Sequence, residues 1–216
     1  QTHIKFEIPQ LSVTNLKTEL TMTAMQLNTD ISQNKKNTLN LHTDLDVSLK
    51  NNVLSLKKFI IRTLDSQLSF SAKLQNIKNL ISSPEGQISF DSKINLQDLR
   101  TASLVLFPQK HRFPSIAGFI ESAGDFNISA YDKINGSINI KTTQVVLDQF
   151  KLGQAQIKAT IKNNLIEMNE VKLEHPSGTA SLRNLKIEKN PPYKYSTALV
   201  VNNFDLQKLF LSLGLN

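Results

Sequence analysis

The chain has 216 residues, no cysteine, 39% hydrophobic residues and a net charge of +7. That length suits one large all-β domain or two small ones, and the missing cysteines exclude a disulfide framework, a zinc-thiolate centre and a cysteine nucleophile. The positive charge permits contact with anionic lipid or nucleic acid. The lysines, however, are spread along the chain with no basic cluster among aromatics, so nucleic acid is not an expected partner.

Along the chain the dominant period is two. Leu16, Leu20, Met22 and Ala24 alternate with Lys17, Glu19, Thr21 and Thr23. In LNLHTDLDVSLK, residues 39–50, Leu39, Leu41, Leu45, Val47 and Leu49 share one face with Thr43, and the polar residues take the other. Successive strand side chains point to opposite sides, so this predicts a half-apolar strand about 40 Å long. The same alternation recurs at Leu68, Phe70, Ala72 and Leu74, and then at Ile88, Phe90, Ile94 and Leu96. It continues through Phe126–Ala130, Ile134–Ile140, Ala155–Ile161 and Tyr195–Val201. Turn signals separate these runs: Asn34–Asn37, Lys50–Asn52, Pro84–Gly86, Lys162–Asn164, Pro176–Gly178 and Asn190–Pro192. Asn135-Gly136 has the chemistry of a two-residue hairpin. Because the alternation carries through Gly136, the turn is placed instead at Tyr131–Lys133. Two stretches switch to helical spacing: residues 96–104, and residues 204–213 with Asn203 or Asp205 as cap. Residues 107–125 read as a connecting loop.

The chain repeats itself. LKNNVL at 49–54 matches IKNNLI at 161–166, which sets Phe59 on Val171, Ile61 on Leu173, Ser66 on Gly178, Leu68 on Ala180 and Phe70 on Leu182. INLQDLR at 94–100 then matches FDLQKLF at 204–210 after a two-residue loop deletion. The expected organisation is a first β repeat over 1–106, the loop over 107–125, and a second β repeat over 126–216 ending in a short helix. Repeats at fixed spacing signal stacked units that share one continuous core.

Catalytic chemistry finds little foothold. His3, His42, His111 and His175 are far apart in sequence, and no nucleophile motif surrounds a serine. His42, Asp44 and Asp46 share a strand face at a spacing that divalent metals accept, but an ordinary solvated face is the better reading. No cofactor is expected. The apolar faces are more informative. Two short helices are too few to cover many long half-apolar strands. Either the sheet packs on itself as a sandwich or barrel, or its apolar face lines a groove for acyl chains.

The block from Ile134 to Ile187, with Gly136, Gly153 and Gly178 at strand starts, resembles the β-meander of the AsmA-like superfamily, which includes TamB-like proteins. The tail STALVVNNFDLQKLFLSLGL is similar to that family's alternating strand followed by a short helix. The resemblance implies an all-β fold: a long curved sheet with an apolar concave face, in a periplasmic protein of a Gram-negative-type bacterium that bridges inner and outer membranes. It also implies phospholipid movement or outer-membrane assembly as the function, without catalysis. Members are usually anchored in the inner membrane by an N-terminal helix. The chain begins with Gln, shows no signal peptide and has no apolar run near the ~20 residues of a span, so it reads as a segment of a longer protein. Combined with the alternation, the lipid-facing positions are Leu41, Leu45, Val47, Leu68, Phe70, Ile88, Phe90, Ile138, Ile140, Ile157, Ile161, Leu182, Leu199 and Val201. Lys35, Lys36, Lys57, Lys58, Lys110 and Arg112 are candidates for a headgroup-binding rim. The alternative is a β-structured scaffold with a closed core that assists assembly of outer-membrane proteins.

Overall fold

A computed structural model describes residues 2–7, 10–15, 19–34, 37–76, 85–106, 114–130, 133–148, 150–163, 165–188, 195–203 and 205–208. They form one long, open, curled sheet. In chain order the strands are β1 (Thr2–Glu7), β2 (Gln10–Asn15), β3 (Glu19–Asn34), β4 (Asn37–Lys50), β5 (Val53–Arg62), β6 (Gln67–Gln75) and β7 (Glu85–Asn95). Helix α1 (Leu96–Leu106) follows, and then β8 (Ile116–Ala130), β9 (Lys133–Leu147), β10 (Phe150–Lys162), β11 (Leu165–His175), β12 (Gly178–Glu188) and β13 (Tyr195–Asn202). From β3 onward every strand pairs antiparallel with its neighbour in the chain, while β1 and β2 lie in succession along the far edge of β3. At roughly 4.8 Å per strand the sheet is about 50 Å across.

The sheet takes the open, curved form expected of it, and the alternative of a sandwich or barrel does not form. The strand order runs from β1 to β13 without closing, and no second sheet lies against it among the described residues. Leu96 and Ala159, 5% and 6% exposed, are the buried apolar side chains among the described residues. A self-packed sheet of this size would bury dozens, so the face is open and the closed-core alternative is set aside. The loop expected over residues 107–125 is corrected for its second half, residues 107–113 lying outside the described residues. Residues 116–125 belong to β8, which pairs with β7 on one side and β9 on the other. The sheet therefore crosses the middle of the chain without a break. As the alternation through Gly136 indicated, β9 includes that residue and starts at Lys133.

The Asn-Asn turns follow from the residues in them. Asn51 and Asn52 have φ of 50° and 63°, and Asn163 has 51°. Asparagine enters the left-handed region more readily than other side chains. The two turns introduce strands with the same defect. In β5 Lys57 is an extra residue against β4, and in β11 Asn169 is an extra residue against β10. These positions coincide when the two Lys-Asn-Asn sequences are aligned. Each such bulge reverses which side chains face inward. It turns Phe59 and Ile61 onto the apolar side and Lys58 onto the polar side.

Helix α1 seats on the apolar side at one end of the strands. Asn95 caps it, its Oδ1 accepting from the Gln97 amide at 2.9 Å. Asp98 in the first turn accepts hydroxyl bonds from Thr63 and, at 2.5 Å, from Ser66, while the Asn95 amide donates to the Ser66 hydroxyl at 2.9 Å. The helix is thereby tied to the β5–β6 turn. The second unit has a counterpart: the Asp205 amide donates to the Ser177 carbonyl at 2.6 Å, and Asp205 caps a helical turn at residues 206–208 through the Lys208 amide. The rest of the helix expected over 204–213 lies outside the described residues. Asp98→Ala is expected to speed amide exchange within α1 about tenfold, or ~1.4 kcal/mol, and to leave exchange in β9–β11 unchanged. Hydrogen exchange read by mass spectrometry checks this.

Candidate functional site

The strand registers resolve the apolar side into rows that cross the sheet at right angles to the strands. One row links Met25, Leu45, Phe59, Phe70, Phe90, Gly124, Ile138, Ala159, Met168 and Leu185, each opposite the next. A second runs from Thr43 through Ile61, Leu68, Ser92, Ser122, Ile140, Ile157, Val171 and Leu182 to Leu199. A third holds Val47, Leu56, Ala72, Ile88, Phe126, Gly136, Ile161, Ile166, Ile187 and Tyr195. No Asp, Glu, Lys or Arg occupies any position of these rows. Together they make an uncharged trough about 40 Å long, estimated from the strand spacing.

All fourteen residues expected to face lipid share this face. Leu41 and Leu68 lie at the α1 end, where they line a space of about 150 Å³ with Ile61, Ile94, Leu99 and Ala102. Val201 lies opposite Ala180 at the β13 end. The other eleven, apart from Val47 at the start of the third row and Leu182 and Leu199 at the far end of the second, sit in the rows' interiors. Sequence reasoning missed Leu56, Phe59, Ile61, Ile166, Met168 and Leu185. Their parity is hidden by the bulges at Lys57 and Asn169 and, for Leu185, by the register shift at Asn184 in β12, although the repeat alignment had already set Phe59 on Val171 and Ile61 on Leu173.

Glycines fit the trough to its aromatics. A Cβ on Gly124 would stand 2.6 Å from the Phe90 ring, and one on Gly136 would stand 2.6 Å from the Phe126 ring. The two rings are stacked with centroids 6.2 Å apart. The trough's polar atoms are few and satisfied: the Ser92 and Ser122 hydroxyls bond each other at 2.6 Å.

The opposite face carries the charges. Lys162 and Lys186 flank Glu167 at 3.6 and 3.1 Å, and Lys172 pairs with Glu174 at 2.5 Å. The Glu167 carboxyl is held below its ordinary pKa by the Lys186 bond. His42, Asp44 and Asp46, the metal candidates, lie on this face. Asp44 is 8% exposed and already engaged: Arg62 Nη1 donates at 2.8 Å, Lys58 Nζ lies at 3.3 Å and His42 Nε2 at 3.1 Å. Lys58 is therefore corrected from a headgroup rim to a partner of Asp44 on the polar face. Lys57 is the exposed bulge residue of β5. Lys35, Lys36, Lys110 and Arg112 fall outside the described residues.

Burial raises the Asp44 pKa, but the bonds to Arg62 and Lys58 outweigh it, and the net shift is downward. A carboxyl whose folded pKa is depressed stabilises above its unfolded pKa of about 3.9 and stops doing so as pH falls through the folded value. Asp44→Asn is expected to lower stability at pH 7 by about 1–2 kcal/mol. Below about pH 3.9 the gap from the parent narrows and then closes. Urea melts at pH 7, 4 and 2.5 measure it.

One serine–histidine contact invites a catalytic reading. His175 Nδ1 lies 2.5 Å from Ser177 Oγ and accepts the Ser177 amide at 3.0 Å, while Nε2 donates to the Lys151 carbonyl at 2.7 Å. Ser177 is 1% exposed, so no substrate carbonyl reaches its hydroxyl. The contact instead locks the β11–β12 turn onto β10. Among the described residues no helix is long and apolar enough to cross a membrane. In comparisons with known proteins the chain matches no family model, no curated protein and no solved structure.

Proposed function

We propose that this chain is a non-enzymatic lipid conduit: a segment of an AsmA/TamB-like envelope protein whose trough carries phospholipid acyl chains across the periplasm between inner and outer membranes. The observation that carries this reading is an uncharged face that spans the sheet and, among the described residues, has no cover beyond α1. A soluble domain rarely leaves so much apolar surface open unless something occupies it. Each CH₂ withdrawn from water contributes roughly 0.8 kcal/mol, so a half-sheathed chain of about sixteen carbons gains on the order of 5 kcal/mol. That gain needs no fixed polar contact. Because the rows repeat from strand to strand, an acyl chain finds similar contacts at each step and can advance without leaving a deep well. The charged headgroup stays in water beside the trough.

Native mass spectrometry of protein purified without detergent tests the proposal. Co-purifying phospholipid at one or more per chain is the expected result. Protein that stays lipid-free even after incubation with phospholipid vesicles would overturn the conduit and favour a scaffold for outer-membrane proteins.

A further inference from the structure

We propose that the space beneath α1 is a side pocket of the trough that holds the methyl end of an acyl chain. The occupant rests on the conduit reading; the space itself does not. Helix α1 is a strap. It rests on β4 at one side and on β7 and β8 at the other, and it bridges β5 and β6 between them. Below the bridge lies a space of about 150 Å³. Leu41, Ile61, Leu68 and Ile94 wall it from the sheet, and Leu99 and Ala102 wall it from the helix. Ile61 and Leu68 are also paired neighbours in the second apolar row, so the space adjoins the trough.

Polar bonds at the first turn set the strap in place. Asp98 accepts from the Thr63 and Ser66 hydroxyls, and Thr63 Oγ1 accepts the Ser66 amide at 2.9 Å. Gln67, also at the edge of the space, accepts from Arg62 Nε at 3.2 Å. The helix is thus held by groups outside the apolar walls, and the space exists before anything enters it. Leu99 faces the space and is still 47% exposed.

The walls select a hydrocarbon. A water needs two to four polar partners to settle in such a space, and the six apolar side chains offer none. Apolar cavities of about this size stay dry and accept a molecule as large as benzene. That admits the last few carbons of an acyl chain and not a whole one. A peptide side chain would bring its backbone amides against the same walls and leave them unpaired. The methyl end of a lipid brings no polar atom. Along the rows an acyl chain finds similar contacts at each strand, but beside β5 and β6 its end is enclosed by helix and sheet together. A lipid therefore pauses there with its headgroup directed away from α1.

Photocrosslinking with two phosphatidylcholines tests it, one with a diazirine on the last carbon of an acyl chain and one with the diazirine beside the ester. The end-labelled lipid is expected to mark Ile94, Leu99 and Ala102 several-fold more than the ester-labelled lipid, while both mark the trough at Ile140. Ala102→Phe puts a ring of the size the space accepts into it from the helix side, and is expected to cut the α1 adducts about tenfold and leave those at Ile140 unchanged. Equal α1 adducts from the two lipids in the parent protein would overturn the proposal whatever the variant does. Methyl NMR with benzene separates the pocket from the conduit. Saturable shifts confined to Ile61, Leu68, Ile94 and Leu99 are expected, and Ala102→Phe should abolish them. No shift at these methyls removes the pocket even where lipid marks Ile140. Benzene shifts with no lipid adduct anywhere remove the conduit reading, and the acyl occupant with it.

Discussion

Phe70→Asp is expected to abolish photocrosslinking of phospholipid to a probe at Ile140, while Ser71→Asp, one residue along the same strand, leaves it at the parent level. Phe70 stands between Phe59 and Phe90 in the first apolar row. A carboxylate there either stays ionised against acyl chains, at a cost of several kcal/mol, or draws water into the trough. Ser71 lies on the charged face, where another carboxylate changes little. Loss of fold is separated from loss of conduction at Leu199, which is 67% exposed on the trough side. Leu199→Asp should leave the melting temperature within a degree or two of the parent and still cut crosslinking at its own end of the trough. Equal crosslinking in Phe70→Asp and Ser71→Asp would remove the conduit assignment.

The second large effect is in the backbone. Gly153→Ala is expected to destabilise the sheet by about 3 kcal/mol. The left-handed conformation alone costs a side-chain-bearing residue roughly 1–2 kcal/mol, and overpacking adds about 1–3. Gly153 has a φ of +81°, and a Cβ there would stand 2.1 Å from the Glu174 carbonyl oxygen. That oxygen belongs to β11 and cannot swing aside as a side chain would. For a chain of this length the melting temperature should fall by about 10 °C. Ser137→Ala, on an exposed polar position of β9, should leave it nearly unchanged. Calorimetry on the pair gives the answer.

Alternation made most of the strands legible because one side of the sheet is apolar and the other polar along nearly every one. It failed where the backbone changes parity or the inward side chains shrink. In LSLKKFIIR the bulge at Lys57 puts Leu54, Leu56, Phe59 and Ile61 on one side, a pattern with no single period. In IAGFIESAGDFNISA the inward positions include Ser122 and Gly124, which carry no hydrophobic signal. They are small because Ser122 pairs with Ser92 and Gly124 lies under the Phe90 ring. That is why the first half of β8 read as loop. The engagement of Asp44 by Arg62 and Lys58 was illegible for another reason: it joins two strands whose register the Lys57 bulge sets. The openness of the trough was equally beyond pattern, since a one-layer sheet and a folded-over one share the same alternation.

The strict neighbour-to-neighbour order of the strands makes this a nearly one-dimensional molecule. From β3 on, each strand depends on the strands before and after it in the chain and on little else. Such a sheet has low contact order, and any hairpin can serve as a nucleus from which pairing spreads in both directions. Heat or force should peel it from its ends and spare the middle, with β8–β10 the last to exchange their amides. The same locality loosens the constraint on length. Inserting or deleting one hairpin changes the trough by two strand widths and disturbs only the seam, so gaining or losing a few strands suffices to lengthen or shorten it.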